Sequence, residues 1–210
     1  MKPRVDYTLY LCTDRELMSA ERLEKAVELA IQGGVTVVQL REKDCTGREF
    51  LQIAKDVKQI TDAYEIPLII NDRIDIAMAV DADGVHLGQS DIPAHTAREL
   101  LGPDKILGVS AHNPEEARKA QEDGADYLGC GAAFVTGTKL DAKPITAEMM
   151  KAVTESVEIP VVAIGGITED NIPKLTGRGL AGAAVVSAIF AAEDPRKASE
   201  RLLEKIRQWE

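Results

Sequence analysis

Two carboxylates stand shortly after short apolar runs: Asp72 follows Leu68-Ile69-Ile70-Asn71, and Asp91 closes the segment Val85-His86-Leu87-Gly88-Gln89-Ser90. A carboxylate pair beside a diphosphate is what Mg²⁺ favours, because this small cation takes few protein ligands and fills its octahedron with phosphate oxygens and water. The same residues also suit helix caps, since Asp91 precedes Ile92-Pro93 and an acid ahead of a proline commonly starts a helix. Both readings stand at this level. An earlier segment, Gln39-Leu40-Arg41-Glu42-Lys43, alternates so that Gln39, Arg41 and Lys43 share one side while Leu40 and Glu42 share the other. The planar fork of arginine and the compact charge of lysine suit phosphate oxygens. A solvated charged loop is the bland alternative.

Further along, Ser110 and His112 end another apolar run, where the hydroxyl can donate to a ligand and the imidazole can orient or cap. His86 sits within a run and is expected to be a hydrogen-bonded core residue, and His95 to lie exposed on a helix. The segment Gly131-Ala132-Ala133-Phe134-Val135-Thr136-Gly137-Thr138-Lys139 combines small residues, which admit close backbone approach, with two hydroxyls and an ammonium that suit a phosphate or carboxylate. Gly165-Gly166 precedes Thr168, a natural helix cap, and Val186-Ser187 closes the last apolar run. Loops of that kind bind phosphate through backbone N–H groups when a helix begins beside them.

The elements that position these residues are legible from periodicity. Apolar runs at Tyr7 to Cys12, Val35 to Leu40, Pro67 to Ile70, Gly84 to Leu87, Ile106 to Val109, Tyr127 to Cys130, Pro160 to Ile164 and Ala183 to Ser187 read as strands. Segments such as 19–32, 47–63, 114–123 and 195–209 carry apolar residues at three- and four-residue spacing and read as crossover helices. Gly33-Gly34, Gly84, Gly124 and Gly179 fall where a helix must stop. This alternation predicts an α/β fold, a single (β/α)8 TIM barrel spanning residues 1–210, against a doubly wound open sheet. The barrel is preferred because the units reach eight and no Gly-x-Gly-x-x-Gly follows the first strand. In such a barrel the chemistry belongs at the C-terminal strand ends, where the residues above fall.

Composition sets the remaining bounds. Thirty-five acids against 25 lysines and arginines leave a formal charge of −10, a field that repels nucleic acid and anionic membranes. An anionic ligand must therefore meet a local basic cluster. No apolar run approaches the roughly 20 residues needed to cross a bilayer, and the opening residues lack the apolar stretch of a secretory signal, so the expected location is cytoplasmic. Cys12, Cys45 and Cys130 are too far apart in sequence for a zinc-type pairing and are expected to be reduced. A homodimer through the outer helices is one assembly a barrel of this size allows.

Taken in order, Leu9 to Asp14, Gln39 to Lys43, Asn71-Asp72-Arg73, Gly84 to Asp91, Gly108-Val109-Ser110, Thr136 to Lys139 and Gly165-Gly166-Ile167 resemble the thiamine phosphate synthase family over most of the chain. The resemblance implies a Mg²⁺-dependent transferase of thiamine biosynthesis. Such an enzyme condenses 4-amino-2-methyl-5-hydroxymethylpyrimidine diphosphate with (carboxy)hydroxyethylthiazole phosphate, giving thiamine monophosphate and pyrophosphate. A carboxylated thiazole also releases CO₂. It further implies that Gln39, Leu40, Arg41, Glu42, Lys43, Asn71, Ser110 and Lys139 bind the pyrimidine diphosphate, with Arg41, Lys43, Lys139 and Ser110 catalytic. Asp72 and Asp91 would hold Mg²⁺, and Thr136, Gly137, Thr138, Gly166, Val186 and Ser187 the thiazole phosphate. Two alternatives share the fold: a thiazole tautomerase using a histidine near His112, and a noncatalytic binder of thiamine precursors. Lys43, Asp72, Asp91 and Lys139 favour the synthase, because a tautomerase has no diphosphate to expel. One departure stands out: Ala132 and Val135 replace prolines usual in the family, which leaves residues 132–139 less preorganised and expected to order on thiazole phosphate binding.

Overall fold

Strands form where β-branched and leucine side chains alternate between two apolar surroundings, one inside a ring and one beneath a helical coat. The computed structural model describes residues 2, 4–20, 22–135 and 144–209. Among these, β1 (Leu9–Cys12), β2 (Val37–Leu40), β3 (Leu68–Asn71), β4 (Gly84–Leu87), β5 (Ile106–Ala111), β6 (Tyr127–Gly131), β7 (Val161–Ile164) and β8 (Gly182–Val185) pair in parallel in that order. β8 returns to β1 with Leu9 opposite Ala183 and Leu11 opposite Val185, which closes the barrel.

Period two sorts the strand residues. Leu9, Leu11, Val38, Leu40, Leu68 and Ile70 point outward into a continuous apolar layer under the helices. Tyr10, Cys12, Val37, Ile69, Ile106, Tyr127, Val162 and Ala184 form a second cluster inside the ring. Fully burying each large outward side chain contributes roughly 1.5–3 kcal/mol.

The crossover helices are α1 (Leu23–Gln32), α2 (Gly47–Ala63), α3 (Ile74–Ala79), α4 (Ala94–Leu101), α5 (Pro114–Glu122) and α6 (Ala147–Glu155), followed after β8 by α7 (Ser187–Phe190) and α8 (Pro195–Ile206). Their starts are written locally. Thr46 and Glu49 form a reciprocal capping box on α2, and Asn113 and Asp194 cap α5 and α8 ahead of prolines in the first turn. No helix among the described residues is long and apolar enough to cross a membrane.

Three expectations are corrected. The seventh unit lacks an α-helix capped by Thr168: a one-turn 3₁₀ helix, Ile172–Leu175, starts at Asn171, whose side chain accepts from the Thr168 N–H. Gly84 does not end a helix but begins β4. A Cβ there would lie 2.2 Å from the Ile106 carbonyl oxygen, so glycine is needed for close strand approach. The eighth strand ends at Val185 instead of Ser187, which opens α7.

Candidate active site

The C-terminal strand ends surround a cavity lined by Gln39, Arg41, Asn71, Ser110, Gly166 and Ser187, among others. On one side, β2 delivers Gln39 into the barrel, 4% exposed, and Arg41 at the rim, as alternation requires. Arg41 is held twice, its backbone N–H donating to Thr13 Oγ1 at 3.0 Å and its guanidinium lying 3.6 Å from Asp14. Lys43 is exposed just beyond. Leu40 is fully buried under the helices, and the Glu42 carboxylate turns away to meet Arg15 at 2.6 Å. These two residues can therefore face a ligand only through their backbone. Glu42 Oε1 is buried and finds no hydrogen-bond partner among the described residues. Burial pushes this carboxyl up, against the pull of Arg15.

β3 carries Asn71 at its end and Asp72 immediately after. Asp72 adopts a left-handed backbone, φ 62°, which an aspartate tolerates better than most residues. Its N–H donates to the His86 carbonyl at 2.9 Å, fixing it across from the end of β4. There Asp91 Oδ2 accepts from the Gly88 N–H at 2.6 Å. The cap reading of both acids is overturned: the cap position of α3 is Arg73 and that of α4 is Pro93, and neither makes a side-chain cap bond. The two carboxyls instead lie within hydrogen-bonding reach of each other. Partial burial and the Asp91 charge push Asp72 up to about 6, against the nearby charges of Arg41 and Lys43. A raised carboxyl held against a second one, with two cations close by, fits a divalent cation, which relieves the repulsion between them. The cluster holds no third protein ligand among the described residues. That suits Mg²⁺, which draws its other ligands from phosphate and water.

The opposite side is built from backbone. Gly165 and Gly166 have φ of 101° and 63°, and a Cβ on Gly166 would meet the Val135 carbonyl oxygen at 2.4 Å. Glycine thus lets the segment after β6 lie directly against the end of β7. Ala133 donates to the Ile164 carbonyl at 2.8 Å and Phe134 to the Gly165 carbonyl at 3.0 Å. These two bonds tie the segment to the end of β7 as far as Phe134. Thr136, Gly137, Thr138 and Lys139 lie outside the described residues. Val186 and Ser187 line the cavity where α7 begins, and the first N–H groups of a helix have no partner within it.

Between the two sides, Ser110 Oγ sits 3.1 Å from His86 Nε2. His86 is the expected core histidine, with its Nδ1 3.0 Å from the Tyr127 hydroxyl, and burial pulls it down to about 4, so the ring is neutral. His112 stands at the rim, tied through Nδ1 to Glu116 at 2.8 Å. His95 is exposed on α4. Cys12 and Cys130 are buried, their thiols pushed up to about 12 by desolvation, which makes them inert.

Sequence reasoning assigned no role to Thr13, Asp14 and Arg15, which anchor the β2 loop, or to the tyrosines Tyr10 and Tyr127 beneath the site, although Leu9 to Asp14 is one of the segments that carry the resemblance. The first three follow the first strand directly, where barrel chemistry belongs. The tyrosines sit on inward positions of β1 and β6, a signal present in the alternation.

A family model described as thiamine monophosphate synthase matches residues 9–189. The chain is 57% identical to a thiamine-phosphate synthase of Ruminiclostridium cellulolyticum, covering 97% of each. It is 55% identical to one of Clostridium botulinum, covering 98% of this chain and 96% of the relative. Among solved structures, a thiamine phosphate pyrophosphorylase from Pyrococcus furiosus superposes with a TM-score of 0.89 at 43% identity over 97% of both chains.

Proposed function

The chain belongs to the thiamine monophosphate synthase family, transferases of thiamine biosynthesis, and from that membership we propose how its residues divide the reaction. The substrates are the aminopyrimidine diphosphate and the thiazole phosphate named above. The diphosphate lies on the β2–β4 side, against Arg41, Lys43 and Asn71, with Lys139 assigned to it from the family resemblance. Gln39 and Ser110 meet the pyrimidine ring, and the backbone of Leu40 and Glu42 completes that side. The thiazole phosphate lies on the β7–β8 side, against Gly166, Val186, Ser187 and residues 136–138. Asp72 and Asp91 would hold Mg²⁺, which when bound would neutralise charge on the departing pyrophosphate.

In the reaction the carbon–oxygen bond to the diphosphate breaks with its electron pair leaving on pyrophosphate. The methylene cation that remains is stabilised by the electron-rich aminopyrimidine. The thiazole nitrogen then donates its lone pair to that carbon. Arg41, Lys43 and Lys139 act where negative charge accumulates, so their effect is largest in the transition state. No protein nucleophile is required.

The observation that carries this reading is the Asp72–Asp91 pair, free of helix capping and close to the charges of Arg41 and Lys43, beside the cavity that Arg41 and Asn71 line together with Gly166 and Ser187. The test is a single-turnover assay of purified protein with both substrates and Mg²⁺. It is expected to yield thiamine monophosphate and pyrophosphate in equal amounts. Lys139→Ala is expected to slow that turnover more than it weakens thiazole phosphate binding. Binding of both substrates without product would sink the reading.

A further inference from the structure

Beneath the cavity, Gln39 Nε2 donates to Tyr10 Oη at 2.8 Å, Tyr10 Oη lies 2.6 Å from Tyr127 Oη, Tyr127 Oη 3.0 Å from His86 Nδ1, and His86 Nε2 3.1 Å from Ser110 Oγ. The side chains come from β2, β1, β6, β4 and β5, so the chain of bonds crosses the whole barrel. Two inward glycines make room for its rings. A Cβ on Gly108 would stand 2.2 Å from Tyr127 Cζ, and one on Gly129 would stand 3.0 Å from His86 Cε1. Both histidine nitrogens are occupied, so the polar groups that the chain presents to the cavity are its two ends, Gln39 and Ser110.

Such a chain has a direction, because each hydroxyl carries one hydrogen and a neutral imidazole carries one. With Gln39 donating to Tyr10, the Tyr10 hydrogen goes to Tyr127, and the Tyr127 hydrogen goes to His86 Nδ1. His86 then carries its hydrogen on Nε2 and donates to Ser110 Oγ. The Ser110 hydrogen is left for the cavity. At the other end the Gln39 amide gives one of its two N–H hydrogens to Tyr10, which fixes the way the amide is turned and leaves Oε1 open as an acceptor.

We propose that Tyr10, Tyr127 and His86 are positioning residues that hold Gln39 as an acceptor and Ser110 as a donor, so that the site selects an aminopyrimidine over its oxo counterpart. This rests on the function proposed above and extends it to specificity. An aminopyrimidine offers an exocyclic N–H donor and ring-nitrogen acceptors, matching both ends. An oxopyrimidine offers a carbonyl acceptor and a ring N–H donor, opposing both. A site that hydrogen-bonds its substrate this way rejects a mismatched analogue strongly, because buried polar groups are left unpaired.

The experiment compares the dissociation constants of the 4-amino and 4-oxo pyrimidine diphosphates, measured without thiazole phosphate, in the wild type and in Tyr127→Phe. It adds ¹⁵N chemical shifts of His86 in the wild type to read which nitrogen is protonated. The wild type is expected to favour the amino substrate by at least about 100-fold, with the His86 hydrogen on Nε2. Tyr127→Phe cuts the chain, frees the Gln39 amide and Ser110 to reverse, and should collapse that preference to within about 10-fold. A merely structural role for Tyr127 would weaken both affinities and leave their ratio intact. An unchanged ratio in the variant, or a His86 hydrogen on Nδ1 in the wild type, overturns the proposal. The histidine measurement decides even where the variant does not fold. Failure of the wild type to make thiamine monophosphate at all is a separate outcome, which overturns the function on which the proposal rests and the proposal with it.

Discussion

The two sides of the barrel mouth present different kinds of group to a ligand. On the β2–β4 side the groups are long or charged side chains: Arg41, Lys43 and Asn71, with the opposed carboxyls of Asp72 and Asp91. On the β7–β8 side they are backbone: Gly165 and Gly166 in left-handed conformations, and the first turn of α7 at Ser187. A side-chain site works through field strength, tolerates adjustment of a flexible chain and responds to pH and salt. A backbone site works through shape and carries no titratable group of its own. It fails when a single methyl group is added where the backbone must pass. In a protein with a net charge of −10, the first arrangement suits a departing diphosphate, whose charge changes during the reaction, and the second a phosphate that only anchors.

The strongest way to break this contrast is to neutralise the carboxylate pair. Asp72→Asn and Asp91→Asn are each expected to lower turnover by about 10²–10³-fold and to raise the Mg²⁺ concentration needed for half-maximal rate. The KM for thiazole phosphate should stay near its wild-type value. Initial rates measured against Mg²⁺ and against each substrate separate these effects. An equal rise in both substrate KM values would show that the two sides are not independent.

Gly166→Ala probes the other side and should show the reverse pattern. The added Cβ meets the Val135 carbonyl at 2.4 Å, and the left-handed backbone costs an alanine about 1–2 kcal/mol. The KM for thiazole phosphate is expected to rise about tenfold, equivalent to roughly 1.4 kcal/mol, while half-saturation by Mg²⁺ does not move. A urea titration reads the loss of stability directly. A variant with normal thiazole phosphate affinity would remove Gly166 from the site.

Much of this contrast was legible in the sequence, and the reasons for the misses are physical. The strands were readable because inward and outward positions alternate between two apolar environments, and the Gln39-Arg41 pattern carried that alternation to the rim. Glu42 was harder, because its partner Arg15 comes from a different loop and its outward turn depends on that pairing. Thr168 looked like a cap, but Pro173 and the glycines Gly177 and Gly179 leave the segment before β8 room for only one 3₁₀ turn. The Tyr10–Tyr127 bond joins residues 117 positions apart and depends on Gly108 leaving the ring space, a relation no local pattern encodes. Asp72 and Asp91 were found by position at strand ends, whereas their freedom from capping required the helix starts to be seen.

The smallest expected effect is in the pH dependence, and it sharpens the contrast most selectively. Asp72 is held at about 6 in the folded protein against an ordinary value of 3.8, so between these values the folded state binds more protons than the unfolded one. Its contribution to stability without metal is therefore favourable at low pH and declines as pH rises through that window. Mg²⁺ needs the ionised pair, so its stabilising increment runs the other way, growing from about pH 4 to about pH 6 and levelling above. Thermal unfolding across this range, with and without Mg²⁺, should show the two trends converging toward low pH. Asp72→Asn is expected to flatten the metal increment across the whole range, and Gly166→Ala to leave its shape intact, because the glycine side has nothing there to protonate. A metal increment with the same pH profile in Asp72→Asn would place the cation on other groups and dissolve the division between charged and backbone sides.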